Sequence, residues 1–372
     1  MVFNSIFFIF CFLPVFMLIY YLVPGKLRNL LLFLGSLIFY AWGEPVYVIL
    51  MLFSSIFNYY MGTELERLYY DDRKQKINLI FSIIINLAVL VFFKYYGFLL
   101  NTIGGIIGIH IPHPELSLPI GLSFYTFRNL SYLFDIYLSK VSAQRNFLTF
   151  AVYSTMFPYT SAGPIVRYTD IETQLKQRTI NIFKFGIGAE LFVKGLAKKV
   201  LLADNLSVLY SSICGHPQMS VFTSWLGILA YTMQLYFDFS GYSDMAIGLG
   251  KMLGFDFNKN FDYPYISTSV SEFWRRWHIS LGSWFRDYIY IPLGGNRVST
   301  LKHIRNILVV WALTGLWHGA SWNFVLWGVY YGLFLLLEKF VLQKYLKKIP
   351  SWLCTVYLSL IHISEPTRRS YI

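Results

Sequence analysis

The sequence predicts an all-α, polytopic integral membrane protein. Of its 372 residues, 56% are hydrophobic, 20% are aromatic and only 13% are charged, and the mean hydropathy is +0.51. Soluble domains carry about 25% charged residues, so this composition does not fit one. Several apolar runs also approach the ~20 residues that an α-helix needs to cross a bilayer.

The charge and the cysteines exclude several other classes. The formal net charge is +12, but the cations are scattered through short loops between apolar runs and form no single patch. Such scatter is typical of the positive-inside bias of membrane proteins, so no nucleic-acid partner is expected. The three cysteines lie far apart, and the sequence has no GxxxxGK[ST] or HExxH motif. Neither a metal site nor a tightly bound cofactor is therefore predicted.

The first half of the chain predicts regular spans with the N-terminus outside. The run from Phe3 to Val23 lacks a basic start and a cleavage site, so we interpret it as a retained span and not as a signal peptide. Lys and Arg follow the first and third runs and the run from Pro119 to Leu138. The loop from Asn101 to Ser117 contains neither and is predicted to face outward. Its histidines, His110 and His113, are interpreted as solvated residues and not as metal ligands.

From Asn146 to Asn205 the pattern does not fit simple crossing helices. Glycines, prolines and cations interrupt the apolar residues. Non-helical backbone at membrane depth is tolerated only where protein buries it or where it lines a cavity. We therefore expect the segment from Gly163 to Tyr168 to be a cytoplasmic-side or re-entrant element, with an ordinary proline turn as the alternative. Three glycines, Gly186, Gly188 and Gly195, are weak evidence of a nucleotide site.

Two carboxylates follow the apolar run that begins at Trp225. Asp238 and Asp244 lie in the sequence DFSGYSD, and a carboxylate at the bilayer centre costs about 2.5 to 3.5 kcal/mol. Each is expected to face a cavity or a cation, for which Arg275 and Arg276 are candidates. A structural ion pair or helix cap is the preferred interpretation, and a catalytic or supporting role is the alternative.

The region from Phe273 to Trp327 contains seven of the ten tryptophans and is interpreted as the active centre. Ser269 and Glu272 precede it at the spacing of a capping box. One amphipathic helix, suited to a membrane interface, is predicted to follow. Its apolar stripe consists of Phe273, Trp274, Trp277, Leu281, Trp284, Phe285 and Tyr288, and its opposite face of Arg275, Arg276, Arg286 and Asp287.

A histidine, His318, interrupts the apolar second part of this region in the sequence TGLWHGASW. On a continuous helix, small side chains such as those of Thr314, Gly315 and Gly319 would surround the imidazole and leave room for a ligand. An ionisable side chain in a bilayer is by default a functional candidate. The alternative is a neutral imidazole that makes a hydrogen bond between helices.

Together these motifs resemble those of the membrane-bound O-acyltransferases, in particular the bacterial alginate O-acetyltransferase branch. The matching segments are PIGLSFYTF, GPIVRY, YFDFSGYSDMAIG, FNKNFDYPYIS, EFWRRWHISL, WFRDYIYIPLGGNR and GLWHG. D-alanyl transferases of teichoic acid synthesis share the RWH and WHG elements, but IPLGGNR and GPIVRY are closer to the polysaccharide-acetylating branch. The resemblance implies a multi-helix fold with tilted, re-entrant and interfacial amphipathic helices. Arg128 stands where this branch leads us to expect glutamine.

The resemblance also implies roles for individual residues. His318, in the WHG motif beside Trp317, is expected to be catalytic, and His278, in the RWH motif, to be a second important position. An ordinary imidazole pKa of about 6.5 suits His318 as the base that activates a hydroxyl. His278 is expected either to orient or assist the substrate or to make a structural hydrogen bond.

The function implied is acetyl transfer across the bacterial cytoplasmic membrane for O-acetylation of an extracellular polysaccharide. The donor would be acetyl-coenzyme A or another cytosolic acyl thioester, and an SGNH-hydrolase-like acetyltransferase outside the membrane would be a partner. Arg275, Arg276 and Arg286 are candidates for binding donor phosphates, with lipid headgroups as the alternative. Two other functions stay open: D-alanyl or other acyl transfer to a cell-wall polymer, and secondary transport.

One membrane domain is predicted over residues 1–357, because no repeat and no linker divides the chain. The segment from Leu358 to Arg368 is similar to the translation of a transposase-type sequencing adapter. Residues 358–372 are therefore expected to be a non-native tail, and the native chain to continue differently after Tyr357, with one or more further helices.

Overall fold

The computed structural model describes residues 1–114, 116–216, 220–346, 348–350, 352–355 and 358. These residues form helices and loops without a β-strand, which confirms the all-α prediction. Two compact units can be distinguished: residues 1–185 with 250–257, and residues 186–249 with the residues from 258 onward. The prediction of a single domain stays a prediction. The suspected non-native tail lies outside the described residues, apart from Leu358.

Three helical segments are long and apolar enough to cross a membrane: Val48–Arg67, Asp72–Ile107 and Trp322–Leu346. A shorter apolar helix, Phe8–Leu22, lies within the predicted first span. Large apolar side chains on these segments are exposed, for example Ile49 at 73%. Extended apolar surface of this kind suits contact with lipid and not with water. The chain is a membrane protein.

The first unit contains helices α1 (Leu13–Leu22), α2 (Arg28–Ala41), α3 (Val48–Arg67), α4 (Asp72–Leu90), α5 (Tyr96–Ile107), α6 (Leu122–Tyr137), α7 (Phe147–Thr155) and α8 (Tyr168–Lys176). Helix α6 is buried along almost its whole length, and α3, α4, α7 and α8 pack around it. Its Arg128 is fully buried and donates hydrogen bonds to the carbonyls of Ser154 and Tyr159, at 3.0 and 2.6 Å. The arginine therefore binds the negative C-terminal end of α7 and the turn that follows it.

The GPIVRY motif forms a buried, irregular segment of the first unit. After α7 the chain makes a short 3₁₀ turn, Phe157–Tyr159, and then runs without helix to α8. Ile165 and Val166 are each only 3% exposed, and Gly163 adopts a positive φ of 95°. The protein thus buries this irregular backbone, which is compatible with either expected position of the segment. The segment is more than an isolated proline turn.

The second unit contains α9 (Ile182–Ala197, which begins in the first unit), α10 (Asp204–Cys214), α11 (Val221–Met252, which ends in the first unit), α12 (Val270–Arg276), α13 (Ile279–Phe285), α14 (Thr300–His318), α15 (Trp322–Leu337) and α16 (Gln343–Leu346). Helical turns of π type extend α9 over Lys198–Ala203, α13 over Arg286–Tyr290 and α15 over Glu338–Leu342.

Glycines allow α9 and α11 to pack closely. A Cβ atom on Gly241 would lie 2.7 Å from the carbonyl oxygen of Gly195, and one on Gly248 would lie 2.6 Å from that of Gly188. These carbonyl oxygens belong to the helix backbone, so they cannot move aside as the end of a flexible side chain can. Gly188 and Gly195 therefore lie where the two helices pack closely, whereas nothing lies within 4 Å of the Cβ position of Gly186.

The prediction of one continuous amphipathic helix over residues 273–288 is wrong. The chain leaves α12 and enters α13 through His278, whose backbone is left-handed with φ +44° and ψ +54°. A contact that is remote in sequence holds the break, because the N–H of Ile279 donates to the carbonyl of Asn260 at 2.9 Å. The apolar stripe is nevertheless largely buried in the protein, with Phe273 at 1% and Leu281 at 4% exposure.

The second apolar part is likewise two helices and not one. Helix α14 ends at His318, Gly319 is extended, and α15 begins at Trp322. A Cβ atom on Gly315 would lie 2.2 Å from the carbonyl oxygen of Phe324, so α14 and α15 pack closely just before the turn. The prediction that small residues on both sides of His318 share one helix is therefore wrong.

Candidate active site

A cavity of about 850 Å³ in the second unit is lined by both predicted histidines, His278 and His318. One face of α14 contributes to its wall, through His303, Ile307, Val310, Trp311, Thr314 and His318. Apart from the adjacent pair Val310 and Trp311, these positions recur every three or four residues, which is the spacing of a single helical stripe. At a rise of 1.5 Å per residue, the stripe from His303 to His318 is about 22 Å long. The cavity is therefore elongated, with a histidine near each end of this stripe.

At one end of the stripe, His278 and His318 have Trp317 as a common neighbour. The ring centre of Trp317 lies 5.9 Å from that of His278 and 5.0 Å from that of His318. The ring of Trp327 lies 5.0 Å from His318, at an interplanar angle of 81°. The structure thus brings together the three site residues predicted from the two histidine motifs.

Asn260 is the main polar contact of the His278 ring. Its Oδ1 atom lies 3.2 Å from Nδ1 of the imidazole, and both residues are buried. His278 lies outside the three segments that are apolar enough to span a membrane. Burial, and after it the charge of His318, lowers the pKa of His278 well below 6.5. The imidazole of His278 is therefore neutral at physiological pH.

The three predicted arginines differ in their surroundings. Arg276 donates to the carboxylate of Glu272 at 2.9 and 3.0 Å and does not line the cavity. Arg286 lines the cavity but pairs with the adjacent Asp287 at 2.6 Å. Arg275 lines the cavity and is exposed. A role in binding donor phosphates stays a prediction for all three, and Arg275 is the one whose charge is least neutralised by the hydrogen bonds described.

The carboxylates Asp238 and Asp244 pair with two consecutive lysines of the π-helical turn after α9. The pairs are Lys199 with Asp238 at 2.8 Å and Lys198 with Asp244 at 2.6 Å. The suggested partners Arg275 and Arg276 are therefore wrong, because the close packing of α9 and α11 places the lysines beside α11. Neither carboxylate lines the cavity that contains the histidines.

The far end of the cavity contains polar residues that the sequence did not single out. His303 is buried, and its Nε2 atom lies 3.1 Å from Oη of Tyr290 and 3.2 Å from Nζ of Lys339. No carboxylate pairs with Lys339 within the described part of the chain, although Glu338 precedes it. Only the helical spacing of His303 and His318 could have indicated this end, since Tyr290 and Lys339 come from other helices.

Comparison with known proteins agrees with the motifs. Residues 45–350 match the MBOAT, membrane-bound O-acyltransferase family. The probable alginate O-acetylase AlgI of Pseudomonas aeruginosa is 45% identical over 91% of this chain and 66% of its own length. The peptidoglycan O-acetyltransferase of Helicobacter pylori is 35% identical over 95% and 75%, and the teichoic acid D-alanyltransferase of Bacillus subtilis 26% identical over 68% and 67%. The chain thus spans 66% to 75% of the length of these relatives.

These similarities confirm the resemblance and the predicted enzyme class, an acyltransferase. The apolar helices and the absence of strands in the described residues agree with the polytopic membrane fold. The roles of individual residues, including His318 and His278, stay predictions. The matched residues cover most of the sequence, and the chain belongs to the membrane-bound O-acyltransferase family.

Proposed function

We propose that the protein transfers acetyl groups from a cytosolic acyl thioester for O-acetylation of an extracellular, alginate-like polysaccharide. The observation that carries the proposal is the pair His278 and His318 at one end of an elongated cavity. The names of two relatives, an alginate O-acetylase and a peptidoglycan O-acetyltransferase, support acetyl as the group and a polysaccharide as the final acceptor.

The proposed chemistry assigns the base to His318. A hydroxyl oxygen attacks the thioester carbonyl, the imidazole of His318 takes the hydroxyl proton, and the carbon–sulfur bond breaks as the new ester bond forms. The proton then passes to the thiolate that leaves. Trp317 and Trp327 lie against His318 and shield part of its ring from water, which strengthens electrostatic contacts within the site.

The donor is proposed to lie along the α14 stripe. The middle of this stripe is mainly apolar, with Ile307, Val310 and Trp311, and the far end has the cation Lys339. A slender thioester with a phosphate at one end suits this polarity, with the thioester carbon near His318. Acetyl-coenzyme A is the proposed donor. Arg275 is the proposed second phosphate contact, with a lipid headgroup as the alternative ligand.

The proposed location is the bacterial cytoplasmic membrane, where the cytosolic thioester and an outer acceptor can reach one protein from opposite sides. Relatives from three bacteria support this assignment. A separate, SGNH-hydrolase-like acetyltransferase outside the membrane is the proposed partner that passes the acetyl group to the polysaccharide.

The test measures the transfer of labelled acetyl groups from acetyl-coenzyme A in membranes that contain the parent protein, His318→Ala or His278→Ala. The amount of membrane-inserted protein is kept equal in the three samples. We expect His318→Ala to lower the rate by about 100-fold or more, because a positioned base contributes at least that factor. His110→Ala, in an exposed loop of the first unit, is the matched control and should keep the parental rate. Full activity of His318→Ala would remove this residue from the chemistry.

Transfer of D-alanine is the second candidate, because one relative is a teichoic acid D-alanyltransferase. This function would be favoured if the parent protein does not use acetyl-coenzyme A but does use a carrier protein that bears D-alanine as a thioester. Membership of an acyltransferase family gives no support to the third possibility, secondary transport.

A further inference from the structure

We propose that Asn260 is a positioning residue that fixes the tautomer of His278, so that Nε2 of His278 accepts a hydrogen bond from the substrate. The identity of that substrate rests on the proposed function. The tautomer itself follows from the hydrogen bonds around Asn260 and can be tested without any enzyme assay.

A backbone group determines which way the Asn260 amide points. The N–H of Ser280 can only donate, and it lies 3.1 Å from Oδ1 of Asn260. The hydroxyl of Ser280 also donates to Oδ1, at 2.8 Å. The opposite amide atom, Nδ2, donates to the hydroxyl of Ser243 at 3.2 Å. If Oδ1 and Nδ2 of Asn260 were exchanged, the amide N–H groups would face the N–H of Ser280 and no hydrogen bond could form. Oδ1 is therefore the atom that faces both Ser280 and His278.

This orientation determines the proton on His278. Oδ1 of Asn260 lies 3.2 Å from Nδ1 of the imidazole, and an amide oxygen can only accept. Nδ1 therefore carries the proton, and a neutral ring then has its lone pair on Nε2. Nε2 is buried and has no hydrogen-bond partner among the described residues. Because an unpaired buried acceptor is unfavourable, a ligand that donates a hydrogen bond would bind there.

The same residue also holds the backbone. The φ of +44° at His278 is uncommon for a residue with a side chain, and such conformations persist only where their surroundings impose them. The carbonyl of Asn260 accepts the N–H of Ile279 at 2.9 Å, directly after the strained residue. Asn260 thus determines both the path of the chain and the orientation of the ring.

The other ring contacts of His278 give no alternative way to fix the tautomer. Phe239 and Phe261 lie with their ring centres 4.7 and 6.5 Å from the imidazole, and Trp317 lies 5.9 Å away. The titratable group whose charge reaches His278 is His318. Asn260→Ala therefore removes the polar contact that fixes the ring, together with the hydrogen bonds of the Asn260 amide to Ser280 and Ser243.

The first experiment is ¹⁵N NMR of the whole protein in lipid nanodiscs, with labelled histidine and with the His278 signals assigned through His278→Gln. We expect the parent to show one neutral tautomer with the proton on Nδ1, and Asn260→Ala to show a mixture. Asn306→Ala is the matched control, since Asn306 is a fully buried asparagine of the same unit that binds the carbonyls of Leu293 and Gly295. It should leave the His278 signals unchanged. An unaltered tautomer in Asn260→Ala would overturn the proposal.

The second experiment measures acetyl transfer as a function of pH. We expect Asn260→Ala to lower kcat roughly 10- to 100-fold without changing KM for acetyl-coenzyme A, as loss of a group that orients a histidine does elsewhere. Asn260→Asp keeps the acceptor and the shape, but its charge favours the imidazolium of His278. Its rate should therefore fall at acidic pH and recover towards the parental rate at alkaline pH, whereas Asn260→Ala should not recover.

The two experiments separate the proposals. If Asn260→Ala does not insert, the recovery of Asn260→Asp at alkaline pH still supports the positioning role, and a loss that does not depend on pH overturns it. A parent protein with the expected tautomer but without acetyl transfer would contradict the proposed function and leave the tautomer assignment intact.

Discussion

The carboxylate of Glu338 accepts hydrogen bonds from both the backbone N–H and the hydroxyl of Ser271, at 3.2 and 2.8 Å. It also accepts the N–H of Val270, so it satisfies the first backbone donors of α12. A negative charge at this end is favourable because it complements the helix dipole. The turn after α15 therefore fixes the short helix that leads to His278.

Replacement of Glu338 by glutamine should destabilise the protein by about 1 to 2 kcal/mol, because it removes the charge at the helix end but keeps the shape. The measurement is the midpoint of thermal unfolding in detergent. Lys339→Gln is the matched control at the next position, where the side chain is exposed, and should shift the midpoint much less. Equal shifts in the two variants would contradict the capping role.

Gly248→Ala should destabilise the protein by about 1 to 3 kcal/mol, as overpacking does in a tight interior. The new methyl group would lie 2.6 Å from the carbonyl oxygen of Gly188 and 2.7 Å from the backbone nitrogen of Phe192. Gly186→Ala is the control, because nothing lies within 4 Å of its Cβ position. Alanine there should be neutral or slightly stabilising, since it favours the helix. A stable Gly248→Ala protein would show that α9 and α11 can separate without loss.

Glu272 should make stability depend on pH. The N–H of Thr268 donates to its carboxylate, and this bond, together with the Arg276 guanidinium, holds the pKa of Glu272 below its ordinary value of 4.5 although burial opposes the shift. Because the pKa is lower in the folded state, the contribution is complete above pH 4.5 and is lost as the pH falls from 4.5 through the folded-state pKa. Unfolding midpoints measured from pH 7 down to about pH 3 should therefore fall less steeply below pH 4.5 for Glu272→Gln than for the parent.

The pair Lys198 and Asp244 should show a coupling of about 0.2 to 1 kcal/mol in a double-mutant cycle with Lys198→Met and Asp244→Asn. The two side chains are 32% and 24% exposed, so solvent screens only part of their attraction. The i,i+4 pair Glu190 and Lys194, at 64% and 65% exposure, is the control and should show a smaller coupling. Equal coupling free energies in the two pairs would mean that the packing of α9 on α11 does not strengthen the Lys198–Asp244 ion pair.

Local signals in the sequence were sufficient for part of the site. The spacing of Ser269 and Glu272 predicts a helix start, and the structure has it, since Ser269 Oγ accepts the N–H of Glu272 at 3.0 Å. Glu272 itself reaches back to the N–H of Thr268, one residue earlier than the capping box requires. The motifs around His278 and His318 also identified two residues that line the same cavity.

Contacts between distant segments account for what the sequence could not predict. The helix periodicity of residues 273–288 continues through His278, yet the chain breaks there because Asn260 binds the main chain and the ring. The second cap of α12 comes from Glu338, which no local pattern connects with Ser271. Asp238 and Asp244 likewise find lysines on a neighbouring helix. A single sequence contains no record of such pairings.

The left-handed backbone at His278 lowers the stability of the folded protein, yet the proposed function needs the imidazole at this position. Glycine adopts φ +44° without strain, whereas a residue with a Cβ atom loses about 1 to 2 kcal/mol in this conformation. His278→Gly would relieve this strain, but it would also leave a cavity in place of a buried imidazole, so the two effects on stability oppose each other. Libraries for crystallisation or cryo-microscopy of this protein should hold position 278 fixed and seek their gains at exposed helical glycines such as Gly186.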